Sequence, residues 1–337
     1  MRILIINPFG IGDVLFTTPV IRAIKEAYPQ AFIGYWCNER VEPVLKNNPN
    51  IDKIFALSRG DWKKIWKRNK IEAIRRGWDL RKEILNEKFE ISIDFSLDHR
   101  YGLMARSFGI KRRIGINYKN RGKFLTEKID IDWYKDKHVV EYYLDTLSFL
   151  NIPRPQNPRL EVFLSSEERQ WADRFLKENR LEEKDSIIGV SPGGGESWGE
   201  NAVYKHWPVE NYRELIKVII RESNSKVIIF GSQSEIEICK TVSSDLLEDK
   251  VINTAGELTI FQFIALLEKC KLLICNDGGP IHVATGLKVN TVSIFGPVDE
   301  KVYGPYPPEE NHIVIKKDLP CRPCYRNFRF PGCNNNH

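Results

Sequence analysis

At 337 residues the chain is longer than one typical domain, and 51 Lys and Arg against 45 Asp and Glu give it a formal charge of +6. With 42% hydrophobic and 28% charged residues, the composition excludes a disordered or fibrous chain and points to two globular domains. No run approaches the roughly 18–20 apolar residues of a membrane span, and Asn7, Pro8 and Gly10 interrupt the first apolar run too early for a signal peptide. The expected location is cytoplasmic. Cys37, Cys239, Cys270 and Cys275 stand singly in apolar segments, as buried free thiols do.

The chain opens as strand, tight loop and helix: residues 3–6 are apolar, 7–12 are turn-forming, and Val14, Leu15, Ile21, Ile24 and Ala27 recur at helical spacing. Pro19 either follows a cap at Thr18 or kinks a helix that begins at Asp13. Apolar runs at 31–37, 54–57, 91–95 and 113–116 then alternate with helical patterns, which implies a parallel sheet covered by helices. Residues 151–160 hold three prolines and little to bury, so one domain is expected over 1–155 and the other over 156–337. The second half repeats the pattern, with strands expected at 187–191, 226–230, 271–275 and 291–295. The fold class is therefore α/β: two Rossmann-like, doubly wound parallel-sheet domains facing one another, with chemistry in a cleft at the carboxyl ends of their strands.

Three loops fall at such ends. In the first, Asn7-Pro-Phe-Gly-Ile-Gly-Asp13, glycines allow a sharp turn, and an Asp at a helix start favours the ionised form that a general base needs. Asp13 as a plain helix cap is the competing reading, and the third glycine of a dinucleotide fingerprint is missing. In the second, Gly193, Gly194 and Gly195 expose N–H groups suited to phosphate oxygens, with Lys205 as a point charge. The third, Asn276-Asp-Gly-Gly-Pro-Ile-His282, opens a helix with Pro280 in its first turn and free N–H groups near Gly278 and Gly279, an anion site to which His282 contributes binding. Between them Glu235 could accept two ribose hydroxyls, with capping of the turn by Ser234, or Glu237 in its place, as alternatives.

Charge is uneven. Residues 59–88 carry eleven Lys or Arg against five acids, interleaved with Trp62, Trp66 and Trp78. This segment is either a basic helix lying on an anionic membrane surface or a solvated helix with Ile65, Ile74 and its tryptophans turned to the core. Residues 99–123 carry eight basic residues and no acid, which suits a phosphorylated, carboxylate-bearing saccharide; no nucleic-acid motif accompanies the charge. Cys321, Cys324, Cys333 and His337 offer four zinc ligands, with free thiols as the default and no metal expected.

In this order the loops resemble glycosyltransferase family 9, the heptosyltransferases of the lipopolysaccharide inner core. The resemblance is carried by Gly10-Ile-Gly-Asp13-Val-Leu-Phe-Thr-Thr-Pro19 with Ile21-Arg22, by Lys205-His-Trp-Pro208, and by Asn276 to His282 followed by Ile294-Phe-Gly-Pro297. It implies a GT-B fold whose first domain binds the acceptor and whose second binds a nucleotide-diphosphate sugar, typically ADP-heptose. It also implies inverting transfer without metal or cofactor. By this resemblance the base falls on Asp13, the phosphate contacts on Lys205 and Asp277 to His282, and the ribose carboxylate on Glu235. Gly12, Arg100, Arg106, Arg112 and Arg113 are expected on the acceptor, a lipid-linked or oligosaccharide anionic glycan at the cytoplasmic face of the inner membrane. A monomer without nucleic acid is expected.

Two departures stand out: Gly278 replaces the family's usual hydroxyl residue, and relatives continue into a helix after Asn334 to His337. A sugar-nucleotide 2-epimerase of the same fold is the enzymatic alternative. A basic lipid- or nucleic-acid-binding module is the other, and it leaves the glycine loops unexplained.

Overall fold

The computed structural model describes residues 1–181, 185–223, 225–247 and 249–333. Two compact units divide the chain, Met1–Glu161 and Val162–His337. In the first, β1 (Arg2–Ile6), β2 (Phe32–Cys37), β3 (Lys53–Ala56), β4 (Ile91–Asp94), β5 (Arg112–Tyr118) and β6 (Glu127–Ile131) form a sheet in the order β3-β2-β1-β4-β5-β6. Every pairing in it is parallel. The connections carry α1 (Ile11–Leu15), α2 (Thr18–Ala27), α3 (Glu42–Leu45), α4 (Arg59–Arg68), α5 (Lys70–Asn86), α6 (His99–Ser107) and α7 (Val139–Asp145).

The second unit begins with α8 (Ser166–Glu178). Its sheet contains β7 (Ile187–Ser191), β8 (Lys226–Ile229), β9 (Val251–Asn253), β10 (Leu272–Asn276), β11 (Asn290–Phe295) and β12 (His312–Lys316), in the order β12-β11-β10-β7-β8-β9, again all parallel. Helices α9 (Val209–Ser223), α10 (Ile236–Ser243), α11 (Ile260–Glu268), α12 (Gly279–Gly286) and α13 (Glu300–Tyr303) complete it.

Parallel strands covered by helices on both faces must be apolar on both faces, and Ile3, Leu4, Ile5 and Ile6 of β1 are all fully buried. The interior strands are therefore those the sequence announces. The edge strands β6, β9 and β12 are not among the expected runs. β6 alternates half-buried and exposed residues, as a strand with one paired side and one covered face does.

Strand order in each unit reverses once, between β1 and β4 and between β7 and β10. Loops leaving the carboxyl ends there diverge to opposite faces and open a crevice for ligands.

Two local expectations are revised. The helix after the first loop is two helices: it breaks at Phe16, and Thr17 rather than Thr18 precedes α2, with Pro19 in its first turn. The proline-rich stretch 151–160 packs on the first unit, because Ile152 and Leu160 are buried. Glu161 follows it closely, receiving Arg22 at 2.9 Å and donating its N–H to Thr18 Oγ1 at 3.0 Å. The contact division accordingly falls after Glu161.

Candidate active site

The carboxyl edge of the first sheet is shaped by two buried asparagines. Asn7 donates from Nδ2 to the Asp13 carbonyl at 2.9 Å and accepts the Phe9 N–H at 3.2 Å; Asn38 donates to the Pro8 carbonyl at 3.0 Å. The loop is thereby fixed before α1 begins. Gly10, not Asp13, is the residue at the helix cap, and Asp13 lies one turn in, its Oδ2 accepting the Gly10 N–H at 3.2 Å. Gly12 and Asp13 are both half-buried.

Beneath this loop lie three buried tyrosines, Tyr35, Tyr134 and Tyr143. Burial pushes their hydroxyls up, and the Asp13 charge adds to each. Tyr35 Oη and Thr17 Oγ1 are 2.9 Å apart, Tyr143 stacks on Phe95 at 4.2 Å, and His138 sets its ring edge against Phe16 at 5.0 Å. His138 Nδ1 accepts the Val140 N–H at 3.2 Å and caps α7. None of the three tyrosines falls in a motif loop, and only the tertiary fold brings them to Asp13.

The end of β4 and the loop after it supply two more carboxylates. Asp98 joins Arg59, at 2.9 Å, to Arg100, which grips it with Nε and Nη2 at 2.8 and 2.7 Å. Burial works to raise the Asp98 pKa, but the hydrogen bonds and charge of Arg100, with Arg59, outweigh it and hold the carboxyl low. Asp94 is buried, and burial lifts it to about 6 against the hydrogen bonds of Ser96, with the Asp98 charge adding.

Of the basic residues expected on an acceptor, the structure brings Arg100 to this edge and Arg59 with it. Arg112 and Arg113 stand at the first residues of β5, the opposite edge of a parallel sheet. Arg112 is held by Glu127 and the Phe149 carbonyl, and Arg113 by the carbonyls of Phe124 and Ile110. Arg106, in the last turn of α6, is close enough to Arg113 to repel it. The structure therefore does not bring Arg106, Arg112 and Arg113 to the carboxyl edge that carries Asp13 and Arg100. Asp130 and Asp132 belong to edge strand β6 and its end, where Asp130 receives the Asn117 amide.

In the second unit, loops from three strands converge. Asn276, at the end of β10 and 1% exposed, donates to the Pro192 carbonyl at 2.6 Å and accepts the Trp207 N–H at 3.1 Å and the Tyr212 hydroxyl at 3.0 Å. Lys205 Nζ is 2.9 Å from Asp277 Oδ2 and 3.3 Å from the Asp277 carbonyl, both residues being buried. It also lies 4.7 Å above the Trp198 ring. Tyr325 and Phe330 pack on Trp198 at 4.9 and 5.4 Å.

Glu235 does not stand free in this edge. Its Oε1 accepts the Gly195 N–H at 3.1 Å and its Oε2 the Ser232 N–H and hydroxyl, each at 2.9 Å. Ser232, not Ser234, closes that turn. Glu237 is exposed on α10. His282 is buried on α12, past Gly279 and Pro280 of its first turn. Burial pushes the neighbouring His206 down, with Glu235 opposing and Lys205 adding.

Among the described residues no group of three or more His, Cys, Asp or Glu side chains is placed to hold a metal ion. Cys321 is exposed, Cys324 and Cys333 are half-buried, and His337 lies outside the described residues. The other four cysteines are buried.

Two predictions follow from this geometry. A Cβ on Gly193 would fall 1.7 Å from Glu235 Oε1, whereas one on Gly278, whose backbone is extended at φ 171°, meets nothing closer than 3.6 Å. Gly193→Ala is expected to lower the melting temperature by several degrees, about 1–3 kcal/mol, and Gly278→Ser to leave it unchanged, as read by differential scanning calorimetry. A carboxyl raised on folding, such as Asp94, gives its stability below its unfolded pKa and loses it as pH rises through the folded value. Ionising Asp94 in the fold costs on the order of 3 kcal/mol, so Asp94→Asn should gain stability relative to the parent from about pH 4 to about pH 8. An equal difference at both ends would refute that assignment.

Comparison with known proteins identifies the family. The sequence model of glycosyltransferase family 9 (heptosyltransferase) matches residues 77–330. Lipopolysaccharide heptosyltransferase 2 of Salmonella typhimurium is 26% identical over 312 residues, covering 88% of this chain and 83% of its own. The glycosyl transferase family 9 structure from Veillonella parvula superposes with a TM-score of 0.80 at 26% identity, covering 94% of this chain and 86% of the other. The Escherichia coli ADP-heptose lipopolysaccharide heptosyltransferase II shares the fold, with a TM-score of 0.73 at 24% identity over 94% and 90% of the two chains. With a GT-B fold of two six-stranded parallel sheets, and with the family's sequence running through both units, the chain belongs to glycosyltransferase family 9 and is a glycosyltransferase.

Proposed function

We propose that this enzyme transfers a heptose from ADP-heptose to a lipopolysaccharide-core or similar anionic glycan, with inversion and without a metal. The observation that carries the reading is the convergence, through Asn276, of a glycine loop, the buried Lys205 and the start of α12 on one edge of the second sheet. That edge suits a diphosphate, and two of the relatives named above, those of Salmonella typhimurium and Escherichia coli, are heptosyltransferases. The residues expected there on the donor are Gly193, Gly194, Gly195, Lys205, Asp277, Gly278, Gly279, Pro280 and His282.

In this reading Asp13 takes the proton of the acceptor hydroxyl as its oxygen bonds to the anomeric carbon. The bond from that carbon to the diphosphate oxygen breaks, and the nucleoside diphosphate leaves with the electron pair. N–H groups of the two glycine loops and Lys205 balance the negative charge that gathers on it, the service a divalent ion performs in other transferases. Glu235, as a turn-closing residue beside Gly195, acts on the nucleotide by holding the glycine loop, with its ribose contact made from that position. Arg100 and Arg59, locked together by Asp98, present guanidinium groups to an anionic acceptor at the Asp13 edge. The first unit then binds acceptor and the second donor, in a cytoplasmic, monomeric enzyme that meets a lipid-linked acceptor at the membrane. No described helix is long and apolar enough to cross one.

Turnover of ADP-heptose with a core-oligosaccharide acceptor tests the proposal. Asp13→Asn, which keeps an oxygen for the Gly10 N–H, should lower kcat by about 10²- to 10⁴-fold with little change in donor KM, and EDTA should leave the rate unchanged. Donor consumption without acceptor would favour the epimerase reading, and a near-parental rate for Asp13→Asn would remove Asp13 as the base.

A further inference from the structure

Helix α5 carries two apolar faces. Ala73, Leu80 and Ile84 are buried, the latter two in a core cluster with Trp36, Phe55 and Phe89. Ile71, Ile74, Trp78 and Leu85 point the other way, with exposures of 81, 48, 66 and 37%. At about 100° per residue these four fall within a strip about 60° wide along the whole helix. The sequence left two readings of this segment, and the structure divides it. Trp62 and Ile65 of α4 pack inward, with Trp62 Nε1 donating to the Ala73 carbonyl at 2.9 Å, while Ile74 and Trp78 face outward.

The charges are arranged around this strip. On the same wheel Lys70 borders it on one side and Arg75 and Lys82 on the other, all three exposed, while Glu72, Asp79 and Glu83 gather further round. Lys63, Lys64, Lys67 and Arg68 of α4 are exposed as well. A strip of Ile, Trp and Leu bordered by cations is the surface that an anionic bilayer accepts: apolar side chains enter the acyl boundary, tryptophan sits at the headgroups, and lysines reach back to lipid phosphates. A second copy of the same face would bring like charges together, and nucleic acid would leave Ile71 and Leu85 without a partner.

We propose that the outward strip of α5, Ile71-Ile74-Trp78-Leu85 with its flanking Lys70, Arg75 and Lys82, docks this enzyme on an anionic membrane surface. The inference deepens the lipid-linked acceptor reading above, yet it does not depend on the sugar chemistry.

Co-sedimentation of the full chain with vesicles tests it. Binding to vesicles containing phosphatidylglycerol is expected to exceed binding to phosphatidylcholine alone by at least about tenfold and to weaken with salt. The double variant Ile71→Ser/Trp78→Ser should lower partitioning by about tenfold or more. Arg75→Glu/Lys82→Glu should abolish the preference for anionic lipid. Ile313→Ser, at an exposed apolar residue of edge strand β12, should change nothing. All variants should retain the parental circular dichroism and melting temperature. If the sugar-transfer reading is right, Ile71→Ser/Trp78→Ser should also keep full turnover on a lipid-free acceptor; vesicle binding is read separately, so failure of either is distinguishable. Parental vesicle binding by the double variant would overturn the proposal. So would absence of binding by the parent, including the case in which it sediments as a dimer that the double variant dissociates.

Discussion

The amide of Asn276 is the interaction on which the carboxyl edge of the second sheet depends. A primary amide has two donor hydrogens and an oxygen with two lone pairs, and a buried one left unmatched costs about 1–3 kcal/mol. Here the nitrogen reaches the Pro192 carbonyl, and the oxygen takes the Trp207 N–H and the Tyr212 hydroxyl. The end of β10 therefore fixes the exit of β7, the segment just after Lys205 and the face of α9 at once. Because Asp277 is the next residue, one side chain places both partners of the Lys205–Asp277 pair. A buried pair of this kind is stable only while both partners stay in register, since losing one strands a charge.

The same lysine is confined by an aromatic ring. Trp198 lies under its ammonium group and is packed by Tyr325 and Phe330 of the segment after β12. That segment is itself anchored where Arg322 donates to the Gly296 and Val298 carbonyls and where the Cys324 and Tyr325 N–H groups meet the Pro297 carbonyl. The Gly296-Pro297 turn after β11 thus acts as a clasp, tying the Cys321–Cys324 region to the loop that carries Lys205.

How much of this was legible follows from where each signal comes from. Doubly covered strands such as β1 and β7 show as continuous apolar runs, and glycine-bearing loops after them mark the carboxyl edges directly. Edge strands such as β6 and β12 carry polar residues on the uncovered side and lose that signature. The loop at Asp13 was legible as a loop, but its register was not: only the backbone places the helix start at Gly10 and the carboxylate one turn later. Side chains assembled from distant segments left no local mark. Tyr35, Tyr134 and Tyr143 meet near Asp13 through packing alone, and Asn276 reads as an ordinary strand-end polar residue until its partners are known. The arginines of 99–123 divide between the two edges of the sheet for a geometric reason. Helix α6 carries the chain from the carboxyl edge to the amino edge between them, so Arg100 and Arg112 lie at opposite edges.

Three carboxylates at the edge of the first sheet show how environment separates roles among like groups. Asp98 is saturated by Arg59 and Arg100, which hold its charge and leave it a weak proton acceptor. Asp94 is buried behind the Ser96 turn, where ionisation is opposed up to about pH 6 and contact with a large acceptor is blocked. Asp13 differs from both: it is half-buried, stands at the amino end of a helix whose dipole favours negative charge, and sits over neutral phenols. A base for transfer must be reachable by the acceptor oxygen and must not already be neutralised by a bidentate cation. In the reading proposed above that role falls to Asp13, which is half-buried, whereas Asp94 is buried and Asp98 is held by Arg59 and Arg100.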